Sequence, residues 1–141
     1  MIYSCFPGTG KTHHANQHGV HDSDSSEFSW VSKGVRHPKW PSNYIDHLWG
    51  LSGTIFVSSH KEVRDALSVA GMEFSVIYPS SSLKDEYLQR YRDRGSPKSF
   101  VSLLSEYWEE WVVDMSKENR CVKAVELKCG QFVSDVLLGV I

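Results

Sequence analysis

The chain begins with Met1-Ile-Tyr-Ser-Cys-Phe-Pro-Gly-Thr-Gly-Lys-Thr12, and the rest of its organisation can be worked out from this stretch. Its first residues are apolar and predict a short strand. In the turn that follows, Gly8 and Gly10 supply the backbone freedom that a tight loop needs. A strand, a glycine-rich turn and a helix in this order are typical of a loop that holds a phosphate group. In such a loop, backbone N–H groups surround the phosphate and the helix directs its positive end at the same anion.

The residues of this loop have different roles in the predicted phosphate site. The backbone of Gly8, Thr9 and Gly10 forms the cradle. Lys11 is expected to reach the β- and γ-phosphates of a triphosphate, and the hydroxyl of Thr12 is expected to ligate Mg²⁺. The sequence therefore predicts a nucleotide site at the junction of the first strand and the first helix.

The composition is that of one ordinary globular domain. A chain of 141 residues can bury one core, so we predict a single domain over 1–141. A net charge of −2 excludes a global basic field that would attract nucleic acid. No apolar run approaches the roughly 20 residues that a membrane span needs. The three cysteines have no metal-binding spacing and cannot all pair, which favours a reducing, cytoplasmic setting.

Hydrophobic periodicity predicts strands that alternate with helices. Strands are expected at 1–4, 20–22, 54–58, 74–78 and 122–127. Helices are expected at 11–18, 41–48, 60–70, 82–94, 97–117 and 131–138, with a polar loop containing some local helix at 23–41. The aromatic residues of 97–117 recur at three- and four-residue steps, which indicates core packing rather than a platform for stacking bases. This alternation predicts an α/β three-layer sandwich with a mainly parallel five-stranded sheet and helices on both faces.

Ligands of parallel sheets bind at the carboxyl ends of the strands. The loop after the first strand, residues 22–26, residues 58–60 and the region of Pro79 should therefore meet at one edge. Asp22 and Asp24 follow the second strand, where a carboxylate can hold Mg²⁺ or its waters, contact the acceptor, or accept the proton of an attacking hydroxyl. The alternative is a turn rich in Asp and Ser with a helix cap.

The predicted helix 60–70 begins within the stretch Ser58-Ser-His-Lys-Glu-Val-Arg64. ATPase motors carry an acidic residue at the end of this strand, and Ser58 stands there instead. Any metal-holding carboxylate must therefore come from the turn after the second strand. We assign Ser59 and Arg64 to substrate binding, because an arginine near the start of this helix can clamp a phosphate. The alternative is a solvent-exposed arginine paired with Asp65 or Glu62.

Arginines also cluster on the predicted helix 82–94. Arg90 and Arg94 lie four residues apart, hence on one face, and arginines stabilise the charge that spreads over a phosphoryl group in transfer. The alternative is a solvated basic face paired with Asp93 and Glu86. The histidines near the first helix are expected to form a surface cluster rather than a metal site, because no Cys or acidic ligand accompanies them. They are His13, His14, His18 and His21.

Taken together, these motifs resemble the P-loop nucleoside and nucleotide kinases, over residues 2 to about 138. The stretch from Ser58 to Arg64 and the run 87–95 are similar to the gluconate-kinase-like small-molecule kinases. The Asp-Ser-Asp-Ser-Ser turn looks like that of kinase-like proteins of bacteriophages, often called nucleotide kinases. The residues that carry the resemblance are Gly8 to Thr12, Asp22 to Asp24, Ser58 to Arg64 and Arg90 to Gly95.

The resemblance implies a single P-loop kinase domain that uses ATP and Mg²⁺. It implies that Arg90 and Arg94 embrace the phosphates, that Asp24 lies near the acceptor, and that Lys128, Cys129 and Gly130 pack on the adenine. A short lid is expected around 90–100. The chain departs from the family pattern at Cys5, where glycine is usual, and in the Asp-x-Asp turn, where serine replaces glycine.

These features predict an ATP-dependent phosphotransferase whose acceptor is a (deoxy)nucleoside monophosphate. One alternative is a kinase of a hydroxyl group, on a small metabolite or on a hydroxymethylated base in phage DNA, and only this alternative involves nucleic acid. Another is a nucleotide-binding interaction protein without turnover. The guanine-selective motif of GTPases is absent, which favours ATP. We expect a monomer or dimer with no membrane association, in the cytoplasm, or in the host cytoplasm if a phage encodes it.

Overall fold

The computed structural model describes residues 1–18, 20–23 and 25–137, and for residues 12 and 16–18 it describes the backbone alone. Strands and helices alternate along the chain as the sequence predicts. The strands are β1 Ile2–Cys5, β2 His21–Asp22, β3 Trp30–Ser32, β4 Val35–Arg36, β5 Ile55–Ser58, β6 Phe74–Pro79 and β7 Ala124–Leu127. The helices are α1 Lys11–His18, α2 Ser26–Ser29, α3 Ser42–Trp49, α4 Lys61–Val69, α5 Lys84–Asp93, α6 Lys98–Ser116 and α7 Val133–Leu137, with a 3-10 turn Ser81–Leu83 before α5.

Five of the strands form one parallel sheet in the order β2-β5-β1-β6-β7. This confirms the predicted five-stranded parallel sheet. The last residue of β1, Cys5, lies opposite Ser58 of β5 on one side and Ile77 of β6 on the other. The chain leaves β1 toward the β2 edge and later crosses back over β1 to reach β6. The direction of winding therefore reverses beside β1, and a crevice opens at the carboxyl ends of strands at such a point.

Right-handed crossovers explain why both faces of the sheet are covered. The connection from β1 to β2 runs in one direction along the sheet, and the later connections run in the other, so their helices fall on opposite faces. One buried cluster joins α1 and α7 to the side chains of Tyr3, Cys5, Phe56 and Ile77. The larger cluster joins α3, α4, α5 and α6 to the opposite face. The molecule is therefore a three-layer α/β sandwich.

Helix α6 matches the strongest periodic signal in the sequence. Its buried side chains recur at three- and four-residue steps: Val101, Leu104, Trp108, Val112 and Met115. The indole of Trp108 is 2% exposed and packs edge-on against Phe6, while its Nε1 donates to the carbonyl of Ser81 at 2.9 Å. The expectation of a core helix rather than a base-stacking platform is confirmed.

The segment predicted as a polar loop with local helix contains more structure than expected. Besides α2, it holds the antiparallel hairpin of β3 and β4, which turns at Gly34 with a φ of +78°. These strands are two and three residues long, too short for alternation to reveal them. In the described part of the chain, no helix has the length and apolar character that a membrane crossing requires.

Candidate functional site

A cavity of about 560 Å³ opens at the carboxyl edge of the sheet, at the reversal point beside β1. It brings together residues from three segments that the sequence predicts to converge. Among its lining residues are Gly8, Gly10, Lys11, Asp22, Ser58 and Arg94. The region after Pro79 was expected here as well, but it lies against β7 and α6: Ser80 N donates to the carbonyl of Leu127, and Ser81 accepts from Trp108.

The loop of residues 6–10, called the glycine loop below, needs its glycines for two separate reasons. Gly8 and Gly10 have φ values of +87° and +86°, a region that L-residues with a side chain rarely adopt. A Cβ on Gly8 would also lie 2.8 Å from a ring carbon of Tyr91, and one on Gly10 would lie 2.9 Å from a ring carbon of Phe132. Backbone conformation and close packing therefore both require glycine at these two positions.

Thr9 contributes to this loop through structure rather than through an exposed hydroxyl. Its side chain is fully buried, and its Oγ1 donates to the carbonyl of Phe6 at 2.8 Å. Its own carbonyl accepts from Val133 N at 2.9 Å. Thr9 therefore closes the loop on itself and ties it to the start of α7.

Cys5, the departure from the usual loop pattern, ends β1 with its side chain in the core beneath α1. Burial raises the pKa of its thiol to about 12, and the nearby charges of Lys11 and Asp22 oppose each other in their effect on it. The thiol therefore stays protonated at neutral pH and acts as a small apolar side chain. Glycine is not needed at this position because the residue still belongs to the strand.

The turn after β2 is anchored to the end of β5 by small polar groups. Ser23 N donates to the carbonyl of Phe56 at 2.9 Å, and the hydroxyls of Ser25 and Ser58 lie 2.9 Å apart. The hydroxyl of Tyr44 donates to the carbonyl of Ser23 at 2.8 Å. Asp22 lines the cavity next to Lys11, while Asp24 lies outside the described residues. Sequence reasoning missed the anchoring serines, because serine is common in any turn.

Arg90 lies against the backbone of two loops. Its guanidinium donates to the carbonyl of Gly8 at 2.7 Å, to the carbonyl of Gln131 at 3.2 Å and to the carboxylate of Glu86 at 2.9 Å. It also stacks over the rings of Tyr87 and Phe132, at 4.2 and 4.0 Å from their centroids. The pairing with Glu86, stated above as an alternative, is present. Arg90 therefore holds the glycine loop in place.

Arg94, in contrast, lines the cavity. Its Nε donates to Ser96 Oγ at 3.0 Å, and its guanidinium lies over the rings of Tyr91 and Phe100. The segment predicted as a short lid, 90–100, consists of the end of α5, a tight turn in which Gly95 has a φ of +80°, and the start of α6. Of the two predicted phosphate-binding arginines, the structure places Arg94 at the cavity and Arg90 behind the loop.

The loop after β7 lies next to the glycine loop, and Lys128, Cys129 and Gly130 are not among the residues that line the cavity. Gly130 N and the thiol of Cys129 donate to the Glu86 carboxylate, at 3.2 and 3.1 Å. These bonds and the nearby Arg90 lower the pKa of Glu86. The ammonium of Lys128 pairs with Glu126 at 3.3 Å. The side chains of α5 thus connect this loop to the glycine loop.

Arg64 differs from both of its expected roles. Its side chain is 4% exposed, and its guanidinium donates to the carbonyl of Ser59 and to the carboxylates of Asp114 and Glu118. The predicted alternative partners, Asp65 and Glu62, are wrong, because the partners come from the end of α6 and from just beyond it. Glu118 is held by Arg120 and by Arg64, and its pKa falls to about 2. We reassign Arg64 from a phosphate clamp to a tie between α4 and α6.

Ser59 and Arg64 line a second, smaller cavity of about 240 Å³ between the start of α4 and α6. The two predicted substrate residues therefore stay together, but beside the larger cavity rather than within it. Pro7, His60 and Phe100 line both cavities, so the two are adjacent.

The histidines near α1 do not form one surface cluster. His14 is fully buried, with its Nδ1 3.1 Å from the hydroxyl of Ser134, whereas His13 lines the larger cavity and His21 is exposed. For His18 the structure describes only the backbone. The expectation of a surface cluster is therefore wrong for His14, which faces the sheet. Among the side chains that the structure describes, no group of three from His, Cys, Asp or Glu could hold a metal ion.

Comparisons with known proteins identify the fold of this chain and leave its chemistry open. No protein-family model matches it, and no curated protein does. A solved structure, the crystal structure of an uncharacterized protein from Eubacterium ventriosum ATCC 27560, is similar over 99% of this chain and 95% of its own. The TM-score is 0.54 at 13% sequence identity, so the two proteins share the fold.

Proposed function

We propose that this protein is a P-loop phosphotransferase, which binds ATP with Mg²⁺ and transfers the γ-phosphoryl group to a small acceptor. One observation carries the proposal. The glycine loop and the start of α1 open into a cavity of about 560 Å³ at the reversal point of a parallel sheet, together with Lys11, Asp22 and Arg94. Backbone amides, a lysine, a carboxylate and an arginine are the groups that phosphoryl transfer uses.

The donor nucleotide would lie along the glycine loop. The backbone of Gly8 to Gly10 and the amino-terminal end of α1 would surround its phosphates, and Lys11 would neutralise the terminal charge. The adenine would pack on the loop of Lys128 to Gly130, which Glu86 and Arg90 hold beside the glycine loop. Arg90 is then a positioning residue for the nucleotide.

Magnesium fits the residues at this edge. Mg²⁺ is usually held by one or two carboxylates and by the phosphates of the nucleotide, so a preformed cage of three side chains is not required. Asp22 lines the cavity, and Thr12, of which the structure describes only the backbone, follows the cavity residue Lys11 in the first turn of α1. When bound, the ion would neutralise charge on the phosphates.

Arg94 is the cation that we assign to the moving phosphoryl group. It lines the cavity, and its contacts with Tyr91 and Phe100 orient the guanidinium. Asp24 would orient the acceptor or take its proton. A (deoxy)nucleoside monophosphate remains the first candidate acceptor, because the loop motif and the arginines resemble nucleotide kinases.

A second candidate acceptor, a hydroxyl group of a molecule without a phosphate, is favoured by one observation. Arg64, the cation expected to bind an acceptor phosphate, is committed to Asp114 and Glu118. Lys11 and Arg94 line the described part of the cavity, and both are assigned to the phosphates of the donor. An acceptor that is itself uncharged would need no further cation.

The decisive experiment is a transfer assay with radiolabelled ATP and Mg²⁺. The panel contains nucleoside monophosphates, nucleosides, gluconate-like sugars and DNA that contains hydroxymethyluracil. Label on a monophosphate would support the first acceptor, and label on a hydroxyl would support the second. ATP that binds and stays intact with every acceptor would instead indicate a nucleotide-binding interaction protein.

Lys11→Ala tests the site itself. We expect it to abolish transfer and to leave the fold intact, because Lys11 contributes charge rather than packing. Lys33→Ala is the matched control, since Lys33 is exposed in the turn between β3 and β4, away from the cavity. Transfer that survives Lys11→Ala would overturn the proposal.

A further inference from the structure

The smaller cavity, between the start of α4 and α6, has the size of one ring system. Its volume is about 240 Å³. An apolar cavity of roughly 150 Å³ in a protein core binds benzene, whereas sites for whole drug-sized molecules start at about 300 Å³. The cavity therefore has room for one or two fused rings and not for a complete nucleotide.

The walls of this cavity are suited to a flat aromatic group. One side is formed by Phe6 of the glycine loop, and the other by Phe100, Leu104, Trp111 and Met115 on α6. Leu104 and Met115 are each 1% exposed and belong to the main core. Aromatic and aliphatic walls bind a ring through its faces and edges.

The charged residues of the wall, Lys61, Arg64 and Asp114, belong to an ion-pair network that does not suit an anion. Arg64 pairs with Asp114 and Glu118, Arg120 pairs with Asp65 and Glu118, and Lys61 pairs with Asp65. Three cations thus balance three carboxylates, which leaves no positive charge in excess for a phosphate or sugar acid. Asp114 is 43% exposed at the cavity, where its carboxylate can accept from an N–H group.

The cavity also adjoins the proposed transfer site. Pro7, His60 and Phe100 line both cavities, so one molecule can place a ring in the smaller one and a reactive group in the larger one. We infer that the smaller cavity binds the aromatic ring of the acceptor, with a ring N–H directed at Asp114. That the ring belongs to the acceptor rests on the proposed function, whereas the binding of a ring rests on the cavity alone.

The probe for this site is indole, observed through the methionine methyl groups. The chain has three methionines, Met1, Met72 and Met115, so a sample with ¹³C-methyl methionine gives three signals. Only Met115 lines the cavity. Titration with indole should shift the Met115 signal by the ring current and leave those of Met1 and Met72 unchanged. Saturating indole with no shift at Met115 would overturn the inference.

Two variants of Leu103 test the location of the ring site. Leu103 lines the cavity and is 43% exposed, so its replacement spares the core. Leu103→Trp should fill the cavity and weaken indole binding by at least about tenfold, because a single methylene already changes binding in an apolar pocket by about 10- to 200-fold. Ser102→Trp is the control, an exposed neighbour on α6 outside the cavity. Leu103→Ala should raise the affinity for the three-ring probe acridine relative to indole. Equal binding in all three variants would contradict the site.

Failure of the ring site and failure of the proposed function can be told apart. ATP binding is measured by calorimetry on the same protein samples. ATP bound without a Met115 shift would overturn the ring inference and leave the proposed function in place. A Met115 shift without ATP binding would overturn the proposed function while supporting a ring site.

Discussion

Two arginines near the same edge of the sheet, Arg64 and Arg90, have different structural roles. Arg64 lies between α4 and α6 and binds carboxylates, whereas Arg90 lies on α5 and binds the carbonyls of Gly8 and Gln131. Arg64 is almost fully buried, and Arg90 keeps 15% of its side chain exposed. Arg64 therefore maintains the fold beside the smaller cavity, whereas Arg90 sets the shape of the loop that lines the larger cavity.

The largest expected effect comes from breaking the Arg64 side. Arg64→Met leaves the carboxylate of Glu118 buried with one cation fewer, and the loss of one member of a buried pair costs about 3–5 kcal/mol. Urea unfolding would measure the loss of stability. Arg36→Met is the matched control, because the Arg36–Glu62 pair is 49% and 46% exposed and should be worth about 0–1 kcal/mol. Equal losses in the two variants would contradict the role assigned to Arg64.

A somewhat smaller effect is expected in the loop that Arg90 holds. Gly8→Ala places a Cβ 2.8 Å from Tyr91 at a φ of +87°. Overpacking costs about 1–3 kcal/mol and the left-handed backbone about 1–2 kcal/mol. Gly34→Ala has a similar φ of +78° and nothing within 4 Å, so it should show the backbone cost alone. Thermal unfolding of both variants separates packing from conformation, and ATP binding should be lost in Gly8→Ala only.

Acid should weaken the Arg64 side through Glu118. The pKa of Glu118 falls from the ordinary 4.5 to about 2 in the folded protein, so the carboxylate contributes stability above pH 4.5 and loses it as the pH falls toward 2. One proton taken up on unfolding gives a slope of at most about 1.4 kcal/mol per pH unit. Unfolding free energies of the wild type and Glu118→Gln between pH 5 and pH 2.5 should converge as the pH falls. A constant difference would show that Glu118 does not titrate in this window.

The smallest effect should follow from Arg90→Lys. A single ammonium group cannot reach the carbonyls of both loops, so about 1.5 kcal/mol of stability should be lost with one hydrogen bond to a charged group. The proposed nucleotide site should respond more than the fold, with a severalfold weaker affinity for ATP by calorimetry. Arg92→Lys is the control, an exposed position on the same helix. An ATP affinity that is unchanged in Arg90→Lys would mean that the loop keeps its shape without the arginine.

The same two arginines show which side-chain partners can be predicted from the sequence and which cannot. Glu86, a partner of Arg90, is four residues away on the same helix, and helical spacing predicts such a pair. The partners of Arg64 are 50 and 54 residues away, on and beyond another helix, and no local pattern connects them. The burial of His14 under the sheet was hidden for the same reason, since its spacing to His18 indicates only a helix face.

Local signals in the chain are enough to predict most strands and helices of this protein and the edge of the sheet at which its loops meet. Apolar strands, the glycine loop and the period of α6 are short-range signals, and parallel strands bring their carboxyl ends together wherever they pair. Other features follow from the packing of the folded chain: the hairpin of β3 and β4, the placement of Arg94 at the cavity and Arg90 behind the loop, and the smaller cavity beside Arg64. These depend on contacts between residues far apart in the chain, whose geometry is set by packing rather than by any local preference.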